Sequence, residues 1–266
     1  MPPARPLITL LTDFGDRDWF VASMKGVILT INPHATIVDL SHHVPPHAVQ
    51  EAAYLLKSCY RYFPEGTVHV AVVDPGVGTR RRPLGVKTAR YYFLGPDNGL
   101  FSYMFDEEDE VEVREIETQQ FRLESVGHTF DGRDLFAPAA AWLTTHRPFE
   151  SLGRRIEERM TFPIVKPRTG ANGLVGVVVY VDHFGNLISN LTRKHVDAVR
   201  SEVSCEGLAL QIAGHRVNGL VASYAEGSKV EPSALINSNG AVEVFIKEGN
   251  AALQLKVGCG AEIILS

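Results

Sequence analysis

The chain has 266 residues, of which 45% are hydrophobic and 21% are charged, proportions typical of a folded globular protein that argue against extensive disorder. Its 26 Lys and Arg against 31 Asp and Glu give a net charge of −5, which disfavours a general electrostatic affinity for nucleic acid or an anionic membrane. Three cysteines without CxxC spacing, no signal peptide and no apolar run of about 20 residues predict a cytoplasmic location without a disulfide framework; the cysteines are Cys59, Cys205 and Cys259.

The first two-thirds of the chain alternate strand-like and helix-like segments. Short apolar runs predict strands at 7–12, 37–40 and 67–73, and a hairpin-type pair of strands at 84–88 and 91–94. Apolar residues at helical spacing predict helices over 20–31, 49–59 and 135–143. This alternation is typical of an α/β domain with a mostly parallel sheet that is covered by helices on both faces.

The pattern changes near residue 165. Residues 166–173 (KPRTGANG) are rich in turn-forming types and predict a linker. Beyond it, one helix is predicted over 192–199, and short strands are predicted at 176–181, 209–213, 242–246, 252–257 and 262–265. We therefore expect two domains, an α/β domain of residues 1–166 and a small all-β, barrel-like domain of residues 173–266.

Three carboxylates stand just beyond the ends of predicted strands in the first domain. They are Asp13, Asp74 and Asp97. Ligands of doubly wound sheets bind outside the carboxyl ends of the strands, so we expect these side chains to converge on one cleft. The alternative is that each is a turn or cap residue.

Two polar motifs of the first domain could serve such a cleft. In 74–83 (DPGVGTRRRP), glycines permit close approach of a ligand, and an arginine folded back against Asp74 would keep that carboxylate ionised. No GxGxxG or GK[ST] pattern supports a phosphate site there. The second motif, 129–134 (TFDGRD), precedes a helix and is either a site or a cap.

Other motifs have weaker meanings. In the second domain, 182–190, 236–240 and 248–252 are Asn/Gly-rich loops, which are turns or, alternatively, amides that read a heterocycle. No metal site is predicted, because the histidines at 42, 43 and 47 lack HExxH spacing and a second ligand cluster. No GxSxG elbow indicates a serine hydrolase.

Taken in order, several long motifs resemble the S-adenosyl-L-methionine (SAM) hydroxide adenosyltransferase family, whose relatives include the fluorinases and chlorinases. The motifs are LLTDFGDRDWFVASMKGVI, IVDLSHHVPP, FPEGTVHVAVVDPGVGTRRR, GPDNGL, TFDGRDLFAPAAA, VDHFGNLISNL, INSNG and EGNAA. The resemblance implies an α/β domain followed by a β-barrel, and homotrimers with sites between the amino-terminal domain of one subunit and the carboxy-terminal domain of the next. Hydrolytic members convert SAM and water to adenosine and L-methionine, so SAM is the substrate and no cofactor is implied.

The resemblance also implies roles for residues that bind the substrate. Asp13 would accept hydrogen bonds from the ribose hydroxyls, and Asp182 would bind the methionine ammonium, with Asn186 in the same loop. The remaining contacts would be Ser238 to the methionine carboxylate and Asn250 with the Ala251 backbone to the adenine edge.

The resemblance places Asp74 and Arg81 in an Asp-Arg-His set that activates water. The third member departs, since family hydrolases usually read TFHGRD and this chain has Asp131 at the histidine position; His128, three residues earlier, is not its counterpart. Two carboxylates beside Arg81 repel each other unless one is protonated or the guanidinium bridges both. A carboxylate can still act as a general base, so we expect a retained but altered hydrolysis.

Several functions remain open at this stage. Fluorinases and chlorinases carry a neutral residue where this chain has Asp74, and a carboxylate there repels a halide, so water is favoured as the nucleophile. The alternatives are a SAM- or adenosine-binding protein with weak or no catalysis, a SAM-dependent halogenase, and an α/β domain whose polar loops are only turns.

Overall fold

The apolar runs of the first two-thirds of the chain form one mixed β-sheet in the computed structural model. The structure describes residues 6–124, 127, 129–145, 147–202 and 207–266, apart from the side chains of Thr118 and Glu202. The expectations about Cys205, His128 and residues 1–5 therefore lie outside the described residues. The chain divides into two units, Met1–Pro163 and Ile164–Ser266.

The sheet of the first unit has six strands in the order β2-β1-β3-β5-β4-β6. The strands are β1 (Leu7–Thr12), β2 (Thr36–Ser41), β3 (Val68–Val72), β4 (Pro83–Lys87), β5 (Tyr92–Pro96) and β6 (Glu112–Glu115). Strands β2, β1, β3 and β5 are mutually parallel, whereas β4 is antiparallel to both β5 and β6. The mostly parallel α/β architecture expected from the sequence is confirmed.

The described helices of this unit are α1 (Phe20–Ile31), α2 (Val49–Cys59), α3 (Ser102–Glu107), α4 (Thr118–Phe121) and α5 (Ala137–Leu143). Apolar stripes in the sequence predicted α1, α2 and α5, whereas the short helices α3 and α4 were not predicted. Helix α1 buries Val21, Met24 and Ile28 and ends at Asn32, where the backbone becomes extended before Pro33. No described helix reaches the length and hydrophobicity that a membrane crossing requires.

Helix α5 is preceded by a π-helical turn, Gly132–Phe136, in which the Ala137 N–H donates to the carbonyl of Gly132 five residues earlier. Helix α5 is nearly entirely buried and packs against α1. The last three residues of the TFDGRD motif therefore lie in the π-helical turn that leads into the buried helix, and such turns are frequent at functional sites.

The second unit is an antiparallel sheet in the order β11-β10-β14-β8-β9-β13-β12, with β7 paired to β8. Its strands are β7 (Arg168–Gly170), β8 (Gly173–Val181), β9 (Leu187–Thr192), β10 (Ala209–Ile212), β11 (His215–Asn218), β12 (Ser233–Ile236), β13 (Ala241–Phe245) and β14 (Glu262–Leu265). The end strands β11 and β12 contact each other, so the sheet nearly closes into the expected barrel. Two helices are inserted, α6 (Arg193–Glu202) and α7 (Ala251–Leu255).

The structure differs from the sequence expectation in two places of this unit. The predicted linker 166–173 contains β7, which forms a tight hairpin with β8. The predicted strand 252–257 is wrong, because α7 occupies most of it. The Asn250 side chain caps this helix by accepting from the Leu253 N–H at 2.8 Å, and an Ala-Ala-Leu-Gln-Leu run has high helix propensity.

Candidate active site

A cavity of about 150 Å³ lies beyond the carboxyl ends of β1 and β3. Its apolar wall includes Phe14, Phe20 and Phe130, whose ring centroids lie 5.2–5.8 Å apart in tilted or edge-to-face contacts. Two acidic side chains, Asp74 and Asp131, also line the cavity. An acidic group beside aromatic rings suits a ligand that is both cationic and heterocyclic.

The turn after β3 brings Arg81 back onto Asp74. The Asp74 Oδ1 atom accepts the Gly76 N–H at 3.2 Å, and the Thr79 N–H donates to the Gly76 carbonyl at 3.1 Å. A Cβ at Gly76 would lie 3.3 Å from the Arg81 Cγ atom. The glycine therefore leaves room for the arginine to fold back, as the sequence suggested.

Arg81 bridges the two cavity carboxylates. Its Nε and Nη2 atoms lie 2.8 Å and 2.5 Å from Asp74 Oδ2, and Nη2 also donates to Asp131 Oδ2. The side chains are 10% (Arg81), 4% (Asp74) and 6% (Asp131) exposed. Of the two ways to relieve the repulsion between the carboxylates, the structure adopts the bridging guanidinium.

The environment of Arg81 keeps it protonated. Burial alone would lower its pKa, but the hydrogen bonds and charges of Asp74 and Asp131 outweigh burial and raise that pKa above its ordinary value. Arg81 is therefore a fixed cation and a hydrogen-bond donor, and it cannot act as a base.

A second arginine, which the sequence reasoning missed, reaches the other side of Asp131. The Arg122 Nη1 atom lies 2.7 Å from Asp131 Oδ1, although neither atom has an aligned hydrogen bond among the described residues. The next residue, Leu123, donates its N–H to the carbonyl of Asp134 at 2.8 Å. No motif surrounds Arg122 in the sequence, so only the tertiary structure reveals it.

Of the three carboxylates at the strand ends, only Asp74 lines the cavity. Asp13 is half-buried beside the cavity-lining Phe14, and its Oδ2 accepts the His47 N–H at 2.9 Å. Asp97 is directed elsewhere, because Arg82 donates to its Oδ2 at 2.7 Å and the Met160 N–H donates to its Oδ1 at 2.7 Å. The prediction that all three carboxylates converge on one cleft is therefore wrong for Asp97, which instead forms a structural ion pair with Arg82.

The buried His42 contacts both ends of the loop that carries Asp13. The Thr12 hydroxyl lies 2.9 Å from Nδ1 of His42, and Nε2 of His42 lies 3.0 Å from Asp39 Oδ1. The Gly15 N–H donates to the His42 carbonyl at 2.7 Å. Side-chain and backbone contacts of one histidine thus fix both ends of the Asp13 loop.

In the second unit, the loop of Asp182 and Asn186 packs against the start of α7. Asp182 accepts from the Asn186 N–H at 2.8 Å and from its side-chain amide at 3.0 Å. Gly185, at a φ of +82°, lies so near Asn250 that a Cβ would be 2.1 Å from its Cγ. The Ala252 N–H donates to the Gly185 carbonyl at 2.9 Å. Four of the predicted binding residues, including Ala251, are therefore adjacent.

Ser238 is exposed in the turn between β12 and β13. The neighbouring Asn237 donates its amide to Glu243 at 3.1 Å, and Tyr224 donates its hydroxyl to the same buried carboxylate at 2.7 Å. Burial first, then this hydrogen bond and the charges of Glu243 and Asp182, raise the pKa of Tyr224. Sequence reasoning had singled out neither Tyr224 nor Glu243.

The described part of the chain contains no group of three or more His, Cys, Asp or Glu side chains placed to hold a metal ion. The polar groups of the cavity are instead arranged as ion pairs, two carboxylates with two guanidiniums.

Comparison with known proteins places this geometry in a family. The model of the SAM hydroxide adenosyltransferase N-terminal domain matches residues 8–153, and that of the C-terminal domain matches residues 176–264. The chain belongs to the SAM hydroxide adenosyltransferase family.

Relatives within this family align over almost the whole chain. An (R)-S-adenosyl-L-methionine hydrolase of Thermus thermophilus is 35% identical and aligns over 97% of this chain and 99% of its own. A fluorinase of an Actinoplanes strain is 29% identical over 88% and 89% of the two chains. The crystal structure of an uncharacterized conserved protein from Thermotoga maritima superposes with a TM-score of 0.88 at 32% identity, covering 97% of this chain and 99% of that one.

Asp131 is the second carboxylate that lines the cavity, and the structure surrounds it with Arg81 and Arg122. Because Asp74 gives Oδ2 to Arg81, its Oδ1, which accepts the Gly76 N–H, has a second lone pair with which to accept a proton or another hydrogen bond. Oδ1 of Asp131, in contrast, faces Nη1 of Arg122.

Proposed function

We propose that this protein hydrolyses SAM to adenosine and L-methionine by attack of water on the ribose C5′ carbon. The observation that carries the proposal is the buried Asp74–Arg81 pair at the cavity wall. The hydrolase relatives, similar over nearly the full length of this chain, support it.

The chemistry of the substrate defines what the site must supply. As the water oxygen bonds to C5′, the C5′–sulfur bond breaks and its electron pair returns to sulfur, so methionine leaves as a neutral thioether and needs no acid. The protein contributes an aligned, partly desolvated oxygen nucleophile and an acceptor for its proton. Asp74 is proposed as that acceptor, with Arg81 holding its other oxygen, and Asp131 completes the set.

The substrate contacts are proposed from the family resemblance. Asp13 would bind the ribose hydroxyls, and Asp182, beside Asn186, would bind the methionine ammonium. Ser238 would bind the methionine carboxylate, and Asn250 with the Ala251 backbone would read the adenine edge. The contact between the Asp182 loop and the start of α7 at Asn250 supports the proposed ligands of the second unit.

We further propose a cytoplasmic homotrimer that needs no cofactor. Each unit carries only part of the proposed ligand set, and a trimer would bring the amino-terminal ligands of one copy to the carboxy-terminal ligands of another. Light scattering coupled to size-exclusion chromatography tests the assembly. A mass of three chains of 29.3 kDa is expected, and a monomer that hydrolyses SAM would contradict this arrangement.

The decisive assay is chromatography of SAM incubated with purified protein. We expect adenosine and methionine in equal amounts, formed faster than without protein, with one ¹⁸O atom in adenosine when the solvent is H₂¹⁸O. Since the hydrolase relatives are named for the (R) epimer, the two sulfonium epimers are supplied separately.

Two other outcomes would replace the proposal. Loss of SAM that requires added fluoride or chloride would indicate a halogenase, a class that the fluorinase relative represents. A rise in melting temperature with SAM but no products would indicate a binding protein.

A further inference from the structure

Asp131 lies between two guanidiniums. Its Oδ2 accepts from Arg81, and its Oδ1 lies 2.7 Å from Nη1 of Arg122. The Asp131 side chain is 6% exposed and that of Arg122 is 22% exposed. This contact lies beside the cavity, on the side of Asp131 away from Arg81.

Arg81 alone cannot neutralise its surroundings. Two ionised carboxylates, Asp74 and Asp131, share this one guanidinium, which leaves a buried excess of negative charge. Buried charges are costly unless they are paired. Arg122 supplies the missing positive charge, so the four side chains together carry no net charge.

The backbone holds Arg122 in this position. Phe121, at the end of α4, is 3% exposed, and the Leu123 N–H donates to the carbonyl of Asp134 at 2.8 Å. Asp134 belongs to the π-helical turn that immediately follows Asp131. The segments that carry Arg122 and Asp131 are thus joined by a main-chain hydrogen bond as well as by the contact between the two side chains.

We propose that Arg122 is a positioning residue for SAM hydrolysis and that the Arg122–Asp131 pair takes the place of the histidine that the family resemblance implies at position 131. Arg122 holds the Asp131 carboxylate so that its Oδ2 keeps the Arg81 guanidinium aligned against Asp74. The inference rests on the proposed function and adds to it a residue outside the recognised motifs. It also explains how a second carboxylate is compatible with a site built around Asp74.

The replacement has a specific consequence for coupling between the two positions. With histidine at position 131, Arg122 has no carboxylate to hold, so its removal costs little catalysis. With aspartate there, its removal leaves a buried carboxylate without its second cation. Asp131 then competes with Asp74 for Arg81, and a displacement of reacting groups by about 1 Å lowers the rate roughly 100-fold.

A double-mutant cycle tests this coupling. We expect Arg122→Gln to lower kcat about 10- to 100-fold with little change in KM in the wild-type background, and to change kcat less than about twofold in the Asp131→His background. Arg122→Lys, which keeps the charge but loses the planar fork, should restore part of the loss.

Arg82→Gln is the matched control. Arg82 is 28% exposed and pairs with the buried Asp97, which does not line the cavity. Its loss should lower the melting temperature but leave kcat unchanged in both backgrounds. If Arg122→Gln does not fold, Arg122→Lys takes its place in the cycle, with a smaller loss that still depends on the residue at 131.

The outcomes separate the inference from the function on which it rests. Equal losses of kcat on Arg122 substitution in both backgrounds, or a change in KM alone, would overturn the positioning role while hydrolysis stands. No turnover by the wild-type protein would overturn the proposed function and the inference together.

Discussion

Replacing Asp74 by asparagine tests the proposed proton acceptor while keeping the shape of the side chain. In the native site, Asp74 Oδ2 accepts the Nε–H of Arg81 at 2.8 Å and lies 2.5 Å from its Nη2, and Oδ1 accepts the Gly76 N–H. An asparagine has only one acceptor oxygen and cannot take a proton at neutral pH. The arginine keeps its contact with Asp131.

The expected losses follow from these contacts. Removing a general base typically lowers kcat by about 10²- to 10⁴-fold, which corresponds to roughly 3–5 kcal/mol of barrier. Weakening charge-assisted hydrogen bonds costs about 1.5–3 kcal/mol of unfolding free energy, or roughly 3–12 °C in melting temperature for a unit of this size. KM should change less than kcat, because Asp74 is not among the proposed substrate ligands.

Asp97→Asn separates the two effects. Asp97 gives Oδ2 to Arg82 and Oδ1 to a backbone N–H, as Asp74 does with Arg81 and Gly76, but it does not line the cavity. The control should therefore lose a similar amount of stability and keep its kcat. The assay is SAM turnover with calorimetry on the same samples.

Two results would refute the reasoning. A folded Asp74→Asn protein with a kcat within about threefold of wild type would remove Asp74 from the chemistry, since general-base loss costs far more. A loss of kcat in Asp97→Asn as large as that in Asp74→Asn would show that destabilisation accounts for the effect.

Three further predictions concern stability and substrate binding. Burial lowers the pKa of His69 to about 3, below its unfolded value of about 6.5, so the unfolding free energy should be fully present above pH 6.5 and fall by about 2 kcal/mol between pH 7 and pH 5. Urea unfolding at several pH values measures it, and a parallel fall in His69→Gln would contradict the assignment. Gly185→Ala should raise KM for SAM at least about 10-fold by displacing Asn250, whereas Gly219→Ala, equally at positive φ but with open space around it, should not; equal effects on KM would count against the packing argument. His42→Leu should raise KM roughly 5- to 10-fold with kcat little changed, because it loses the hydrogen bond between the imidazole and the Thr12 hydroxyl, worth about 1 kcal/mol, that supports the Asp13 loop; an unchanged KM would disprove that support.

Much of the architecture was predictable from local patterns. The alternation of apolar runs and helical stripes predicted β1, α1, β2 and α2 to within a residue or two. Strand β1 is a continuous apolar run that is buried almost throughout, and α1 and α2 each bury one regular face. The segment 252–257 was mispredicted, because its apolar residues fit either period and the deciding cap comes from Asn250, just before them. The strand at 168–170 was predicted to be part of a linker, because turns and edge strands have similar residue compositions.

Some contacts of the candidate site could be predicted from the sequence, and others could not. Asp74 and Arg81 stand seven residues apart around glycines, so their pairing could be read from the sequence. Asp97 could not be distinguished from Asp74, because what separates them is which arginine reaches each one. Arg122 gave no signal, since it stands in an irregular segment and meets Asp131 only where α4 packs against the π-helical turn.

The π-helical turn at Gly132–Phe136 makes the direction of the Asp131 carboxylate depend on the number of residues as well as on their kind. Each residue in an α-helix turns the chain by about 100°, and the five-residue spacing from Gly132 to Ala137 holds one residue more than an ordinary turn. Loss of any one residue from this turn would restore α-helical spacing. Because α5 would be held in place by its buried face, the shorter turn would rotate Asp131 away from Arg81. The direction of the Asp131 carboxylate therefore depends on the number of residues in the turn. We expect a homologue that keeps every side chain of the motif but lacks this extra residue to have a different site.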